Sequence, residues 1–177
     1  PSTARPAIIG NIPYNISSPL LIRLVEQRER LGPVTLLMQK EVVERLMARP
    51  GSKTYGRLSI LLQLYANAQK GPLVGPGNFL PAPRVQSAII RWQWRPEPAV
   101  RAKSWPVFHR VVKASFGQRR KTLRNALKSS FPLDHIAACE GNFDLRQRAE
   151  QLGLTEFAQL ADILAAQISK ASSDSVG

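Results

Sequence analysis

An amide, a proline and an aromatic ring stand together at Asn11-Ile12-Pro13-Tyr14. The asparagine side chain is both a donor and an acceptor. Pro13 fixes its own φ and biases Ile12 toward extended backbone, so the Ile12 carbonyl can face outward instead of joining a helix. Tyr14 adds a flat face. Two acceptors beside a ring suit a planar substrate with an exocyclic amine: the acceptors take the N–H groups and the ring stacks. The same residues also suit a plain surface turn in which Asn11 only caps.

The neighbouring elements must position these groups. Ala7-Ile8-Ile9-Gly10 is a short apolar run that reads as a strand. Ser17-Ser18-Pro19 opens a helix, with proline where a missing N–H does no harm. Leu20, Leu21, Leu24 and Val25 form its apolar stripe. Gly32-Pro33 ends it. Val34 to Met38 reads as a buried strand, and a second helix with Val42, Val43, Leu46 and Met47 inward follows. Strand, helix, strand, helix predicts a parallel α/β sheet. In such a sheet, ligands bind beyond the carboxyl ends of the strands, which is where Asn11 falls.

Arg49 to Lys53 breaks the second helix. Leu58 to Tyr65 is a third amphipathic stretch, and Ala66 to Val74 reads as a strand. Phe79-Leu80-Pro81-Ala82-Pro83-Arg84 is a stiff segment presenting Phe79 and Arg84, or else a proline-rich connector with Phe79 as a core plug. Ala88 to Trp92 is strand-like. Arg95-Pro96-Glu97-Pro98 reads as a linker, and the pattern beyond it is helical, ending in a helix over Thr155 to Ile168. The serine-rich end from Ala171 is expected to fray.

Composition narrows the partners. The 177 residues carry a formal charge of +13. From Arg101 to Lys128 there are nine Lys or Arg and no Asp or Glu, whereas Ser129 to Gly177 holds three basic and seven acidic residues. The charge is thus a patch, which points to a polyanion such as nucleic acid. It lacks the broad apolar face that would insert into a membrane. No apolar run approaches the ~18 residues of a membrane span. One cysteine, Cys139, and two distant histidines, His109 and His135, leave no basis for a disulfide framework or a metal site. A cytoplasmic monomer is expected.

Asn11 to Pro19, Phe79 to Ser87, and Phe116-Gly117-Gln118-Arg119-Arg120-Lys121-Thr122-Leu123-Arg124-Asn125 together resemble the rRNA adenine dimethyltransferases of the KsgA type. Gln39-Lys40-Glu41-Val42 and Tyr55-Gly56-Arg57-Leu58-Ser59 are similar to that family as well. The resemblance runs from about Ile8 to about Leu164. It implies a class I, Rossmann-like methyltransferase using S-adenosylmethionine. Residues 1–98 would be the C-terminal part of its catalytic domain, and 99–177 a small helical rRNA-binding domain. The implied reaction dimethylates two adjacent adenosines in the 3′-terminal hairpin of small-subunit rRNA, during small-subunit biogenesis. A non-catalytic rRNA-binding assembly factor and a large-subunit rRNA methyltransferase conferring antibiotic resistance are the alternatives.

The resemblance also implies roles. Asn11 and the carbonyl near Ile12, held by Pro13, would accept from the target amine. Tyr14 and Phe79 would sandwich the base. Asn11 would also lie against the methionine end of the cofactor. Arg84, Arg119, Arg120, Lys121 and Arg124 would meet rRNA. The family's glycine-rich turn and its ribose-binding acid lie upstream of the stretch matched here, so this chain alone is expected to be inactive.

Overall fold

The computed structural model describes residues 4–13, 16–81, 85–118 and 120–174. By its internal contacts the chain forms two units, one of Pro1–Arg49 with Leu58–Ala99, the other of Pro50–Arg57 with Val100–Gly177.

The first unit is a mixed α/β layer. Its sheet contains β1 (Ile8–Asn11), β2 (Val34–Gln39), β3 (Ala66–Val74) and β4 (Ser87–Trp94), in the order β1-β2-β4-β3. The expected βαβ unit is present: β1, α1 (Ser17–Glu26) and β2, with β1 parallel to β2. The rest of the sheet is not parallel. β4 runs antiparallel to both β2 and β3 and lies between them. Residues 75–86 join β3 to β4 as a hairpin, which sets those two strands antiparallel.

One face of the sheet is the core. Val34, Leu36 and Met38 alternate with half-exposed neighbours along β2, as a period of two requires. They pack with Ile90 and Trp92 of β4, Leu21 and Leu24 of α1, and Val42, Val43 and Leu46 of α2 (Lys40–Leu46). α3 (Arg57–Tyr65) is buried on most of its circumference. It is tied to the end of α2 by Ser59 Oγ donating to the Arg45 carbonyl at 2.5 Å. Gly32 permits a close backbone crossing: its N–H donates to the Pro6 carbonyl at 2.8 Å, and a Cβ there would sit 2.6 Å from the Arg5 carbonyl oxygen.

The second unit is helical: α4 (Trp105–Gly117), α5 (Leu123–Leu127), α6 (Leu133–Ala137) and α7 (Leu154–Asp174). Ser104 and Thr122 cap α4 and α5 by accepting from Val107 N and Asn125 N. At the start of α7, Glu156 accepts from the Gly153 N–H at 2.7 Å. α7 continues past Ile168 into the serine-rich stretch that was expected to fray. Ser169, Ser172 and Ser173 donate to carbonyls four residues back, at 3.1, 3.0 and 3.1 Å. Their hydroxyls are thereby satisfied on the helix itself.

The segment between α2 and α3 belongs to this unit. Gly51, at φ 85°, makes the turn, and its N–H donates to the Glu150 carbonyl at 2.7 Å. Tyr55 is fully buried. Its ring meets Phe116 edge-on at 6.0 Å, and Phe116 in turn meets Phe157 at 5.7 Å. Burial, then the charge of Glu156, push the Tyr55 phenol up to about 12.

Candidate functional site

Asn11 is the last residue of β1 and is exposed. It is in register with Leu37 of β2. The ladder continues one step further, where the Ile12 N–H donates to the Leu37 carbonyl at 3.0 Å. That bond anchors the backbone on which the Ile12 carbonyl sits. Pro13 follows, exposed, and its carbonyl is engaged: Ser17 Oγ donates to it at 3.3 Å and Ile16 N at 3.4 Å. No described residue donates to the Ile12 carbonyl or to the Asn11 side chain. Among the described residues, the turn therefore leaves two acceptors open while its next carbonyl is occupied. Ser17, buried at 3% exposure, does more than open α1: it secures the turn, a role the sequence pattern alone does not assign. Its spacing of four from Pro13 was the available signal. Tyr14 and Arg84 lie outside the described residues.

The sheet register brings Phe79 to the same edge. Val74 of β3 pairs with Ser87 of β4, and Ser87 pairs with Gln39 at the carboxyl end of β2. The hairpin loop 75–86 thus leaves the sheet at the edge where β1 and β2 end. Neighbouring strands lie about 4.8 Å apart, so β4 is roughly 10 Å from β1. Phe79 is half-buried, with its N–H donating to the Pro76 carbonyl at 3.1 Å. Leu80 beside it is fully exposed. Lys40 closes the base of the loop. Its N–H donates to the Gln86 carbonyl at 3.0 Å and its Nζ to Gln86 Oε1 at 3.3 Å.

The basic turn of the helical unit is exposed at Gln118, Arg120 and Lys121; Arg119 lies outside the described residues. Lys121 N donates to the Gln118 carbonyl at 2.9 Å, shaping the turn between α4 and α5. Lys113, Arg120, Lys121 and Lys128 form no ion pair with a described carboxylate. Arg124 does: it pairs with Glu140 from beyond α6. The window from Arg101 to Lys128 has no acid in sequence, yet the fold brings Glu140 to Arg124 and Asp162 to the Lys103 N–H, which it accepts at 2.7 Å. Arg110 is also engaged, stacked 4.3 Å over the Phe131 ring and donating to the Ser130 carbonyl. Beside Arg124 lies an open cavity of about 610 Å³ whose charges pair among themselves. There the Arg146 N–H and guanidinium hold the Asp144 carboxyl below its usual range.

Among the described residues, no group of three or more His, Cys, Asp or Glu could hold a metal ion. Nor is any described helix long and apolar enough to cross a membrane.

The family model for ribosomal RNA adenine dimethylase matches residues 3–166. The chain belongs to that family. The dimethylase match spans the sheet, the Asn11 turn, the Phe79 loop and the basic turn, so the expected family is the one found. Ribosomal RNA small subunit methyltransferase A of Xanthomonas campestris pv. campestris (strain B100) is 44% identical over 156 residues, which cover 88% of this chain and 59% of that protein. The protein of the same name from Hahella chejuensis is 43% identical over 155 residues, covering 88% and 56%. This dimethylase chain therefore spans less than two thirds of the length of these relatives. A solved dimethyladenosine transferase from Plasmodium falciparum aligns with TM-score 0.70 at 24% identity, over 93% of this chain and 67% of that one. The 23S rRNA methyltransferase ErmE aligns with TM-score 0.59 at 22% identity, over 92% and 68%. Both likenesses speak for the fold, a Rossmann-like methyltransferase sheet followed by helices.

Proposed function

We propose that the protein dimethylates two adjacent adenosines in the 3′-terminal hairpin of small-subunit rRNA, acting in the cytoplasm during small-subunit biogenesis. The observation that carries this reading is a pair of acceptors, Asn11 and the Ile12 carbonyl, that no described residue engages, at the sheet edge where the Phe79 loop emerges. An adenine amine offers two N–H groups. Held by these two acceptors, its lone pair is aimed out of the ring plane, and positioning of this kind supplies much of the catalysis in a transfer reaction. A base inside a duplex cannot be reached, so the target must be unstacked and held between flat side chains. Phe79 and Tyr14 are the rings for that role. The small-subunit relatives at 44% and 43% identity support this substrate over the large subunit.

S-adenosylmethionine, when bound, supplies a methyl group on a positively charged sulfur. Asn11 fits the polar methionine end of that cofactor, because its exposed amide has both donors and an acceptor to offer. In the helical unit, Arg120 and Lys121, with Arg119 and the more tightly engaged Arg124, contact the rRNA backbone, and Arg84 does so beside the Phe79 loop.

Incubating the full-length protein with S-adenosylmethionine and small-subunit or large-subunit particles tests the reading. Mass spectrometry of nuclease digests should find dimethyladenosine in the small-subunit RNA alone. Modification of large-subunit RNA would overturn the substrate. Tight binding without any methyl transfer would favour an assembly factor that has lost the chemistry.

A further inference from the structure

At the carboxyl end of β2 there is a cavity of about 290 Å³ lined by Gln39, Lys40, Glu41, Glu44, Val85 and Gln86. It lies on the sheet edge of the candidate site: Gln39 is two residues beyond Leu37, the register partner of Asn11, and it pairs with Ser87 at the end of the Phe79 loop. Both carboxylates in its wall have partners. Glu41 is bridged to Arg45 at 3.1 Å and Glu44 to Lys70 at 3.5 Å. Lys40 has none among the described carboxylates; its Nζ rests on the neutral Gln86 amide oxygen at 3.3 Å. The wall itself carries one ammonium and two carboxylates; Arg45 and Lys70, from outside the wall, pair the carboxylates, so among the described residues Lys40 is the charge left without an ionic partner, and it is half-buried.

We infer that Lys40 and Gln86 form a phosphate site, gripping the rRNA backbone next to the unstacked adenosine. This rests on the proposed function. Turning a base out of its stack swings the backbone on either side, and phosphate contacts are what fix register in nucleic-acid recognition. The chemistry of the pair fits an incoming phosphate. The Gln86 carbonyl stays bonded to Lys40 N, so the Gln86 backbone is held when Nζ leaves the side-chain oxygen. The freed carboxamide then has two N–H donors to add to the ammonium. Exchange of a neutral acceptor for a charged one favours the phosphate, because charge-assisted hydrogen bonds are the stronger kind. Lys40 is here a positioning residue; it touches the strand, not the reacting atoms.

The alternative role for Lys40 is a latch that merely holds the Phe79 loop. Three variants of the full-length protein separate the two: Lys40→Gln, Lys40→Arg and Gln86→Glu. Binding to the isolated 3′-terminal hairpin RNA is measured across salt concentration, alongside thermal unfolding. A phosphate contact predicts that Lys40→Gln weakens binding about tenfold and lowers the slope of log K against log salt by about 0.7–0.9. Lys40→Arg should restore both. Gln86→Glu gives Lys40 a carboxylate partner; the latch is strengthened but the ammonium is neutralised, so binding should fall as in Lys40→Gln. A latch predicts the reverse, with Gln86→Glu binding at least as well as the parent. Hairpins bearing one methylphosphonate on either side of a target adenosine then locate the contact. At one of these linkages Lys40→Gln should cause no further loss. An unchanged slope in Lys40→Gln, improved binding in Gln86→Glu, or no coupling at either linkage would each overturn the inference. Failure of the parent to methylate small-subunit RNA would instead count against the proposed function, since the salt slope is read without methyl transfer.

Discussion

Asn11 is exposed and ends a strand, so little folding free energy depends on its side chain. Asn11→Ala should leave the unfolding free energy within about 0.5 kcal/mol of the parent, the usual range for surface changes. It removes an oriented acceptor at the amine, an electrostatic contribution of the kind whose loss costs about 10²–10³ in kcat. Phe79→Ala removes a stacking face worth ~1–3 kcal/mol per base. Both defects are read as methyl transfer beside thermal melting of the full-length variants. Ser17 behaves differently. It is buried and holds the Pro13 carbonyl, so Ser17→Ala should cost about 1 kcal/mol of stability through that hydrogen bond and loosen the turn. Arg124 is half engaged by Glu140, and its replacement by Ala should lower rRNA affinity less than replacement of Lys121.

The basic turn acts as one element. Replacing Arg119, Arg120 and Lys121 together with Ala should weaken rRNA binding and flatten the salt slope by roughly two, given about 0.7–0.9 for each phosphate neutralised. A salt titration of binding to small-subunit particles checks it, and an unchanged slope would leave the turn a solvated surface. Most elements could be read from sequence because their signals are local. The apolar stripe of α1, the alternation along β2 and the Pro13 turn each declare themselves within a few residues. The pairing of β4 between β2 and β3 does not, since periodicity says nothing about which strand is the neighbour. That insertion carries the Phe79 loop to the sheet edge of Asn11, a meeting that the family resemblance implies and no local pattern in the sequence shows. The serine-rich end differs from expectation as far as it is described: residues 171–174 continue α7, with the Ser172 and Ser173 hydroxyls bonded to carbonyls four residues back, and residues 175–177 lie outside the described residues.

At the scale of the whole molecule, chain order and packing diverge. Residues 50–57 lie between α2 and α3 in sequence, yet they pack with the helices that follow residue 99. The only local signal was an aromatic inside a Pro-Gly-Ser break. Tyr55→Ala should cost the helical unit ~3–5 kcal/mol, as large aromatic truncations in cores do. Its hydroxyl has no described hydrogen-bond partner, so Tyr55→Phe should melt at or above the parent temperature at neutral pH. The folded phenol ionises near 12 and the unfolded one near 10, so the folded state keeps its proton longer. Stability from this group is therefore complete below pH 10 and falls as pH rises toward 12, and Tyr55→Phe should flatten that alkaline loss in melts taken from pH 9 to about 12.

The central claim is that the acceptors at the end of β1 hold an adenine amine of small-subunit rRNA for methylation. It is tested most directly by comparing the full-length parent and Asn11→Ala on saturating small-subunit particles, with methyl groups counted on each adenosine by mass spectrometry. The parent should yield two adjacent dimethylated adenosines in the 3′-terminal hairpin. Asn11→Ala should yield almost no methylation while particle binding is retained. Equal methylation by the two proteins would contradict the claim.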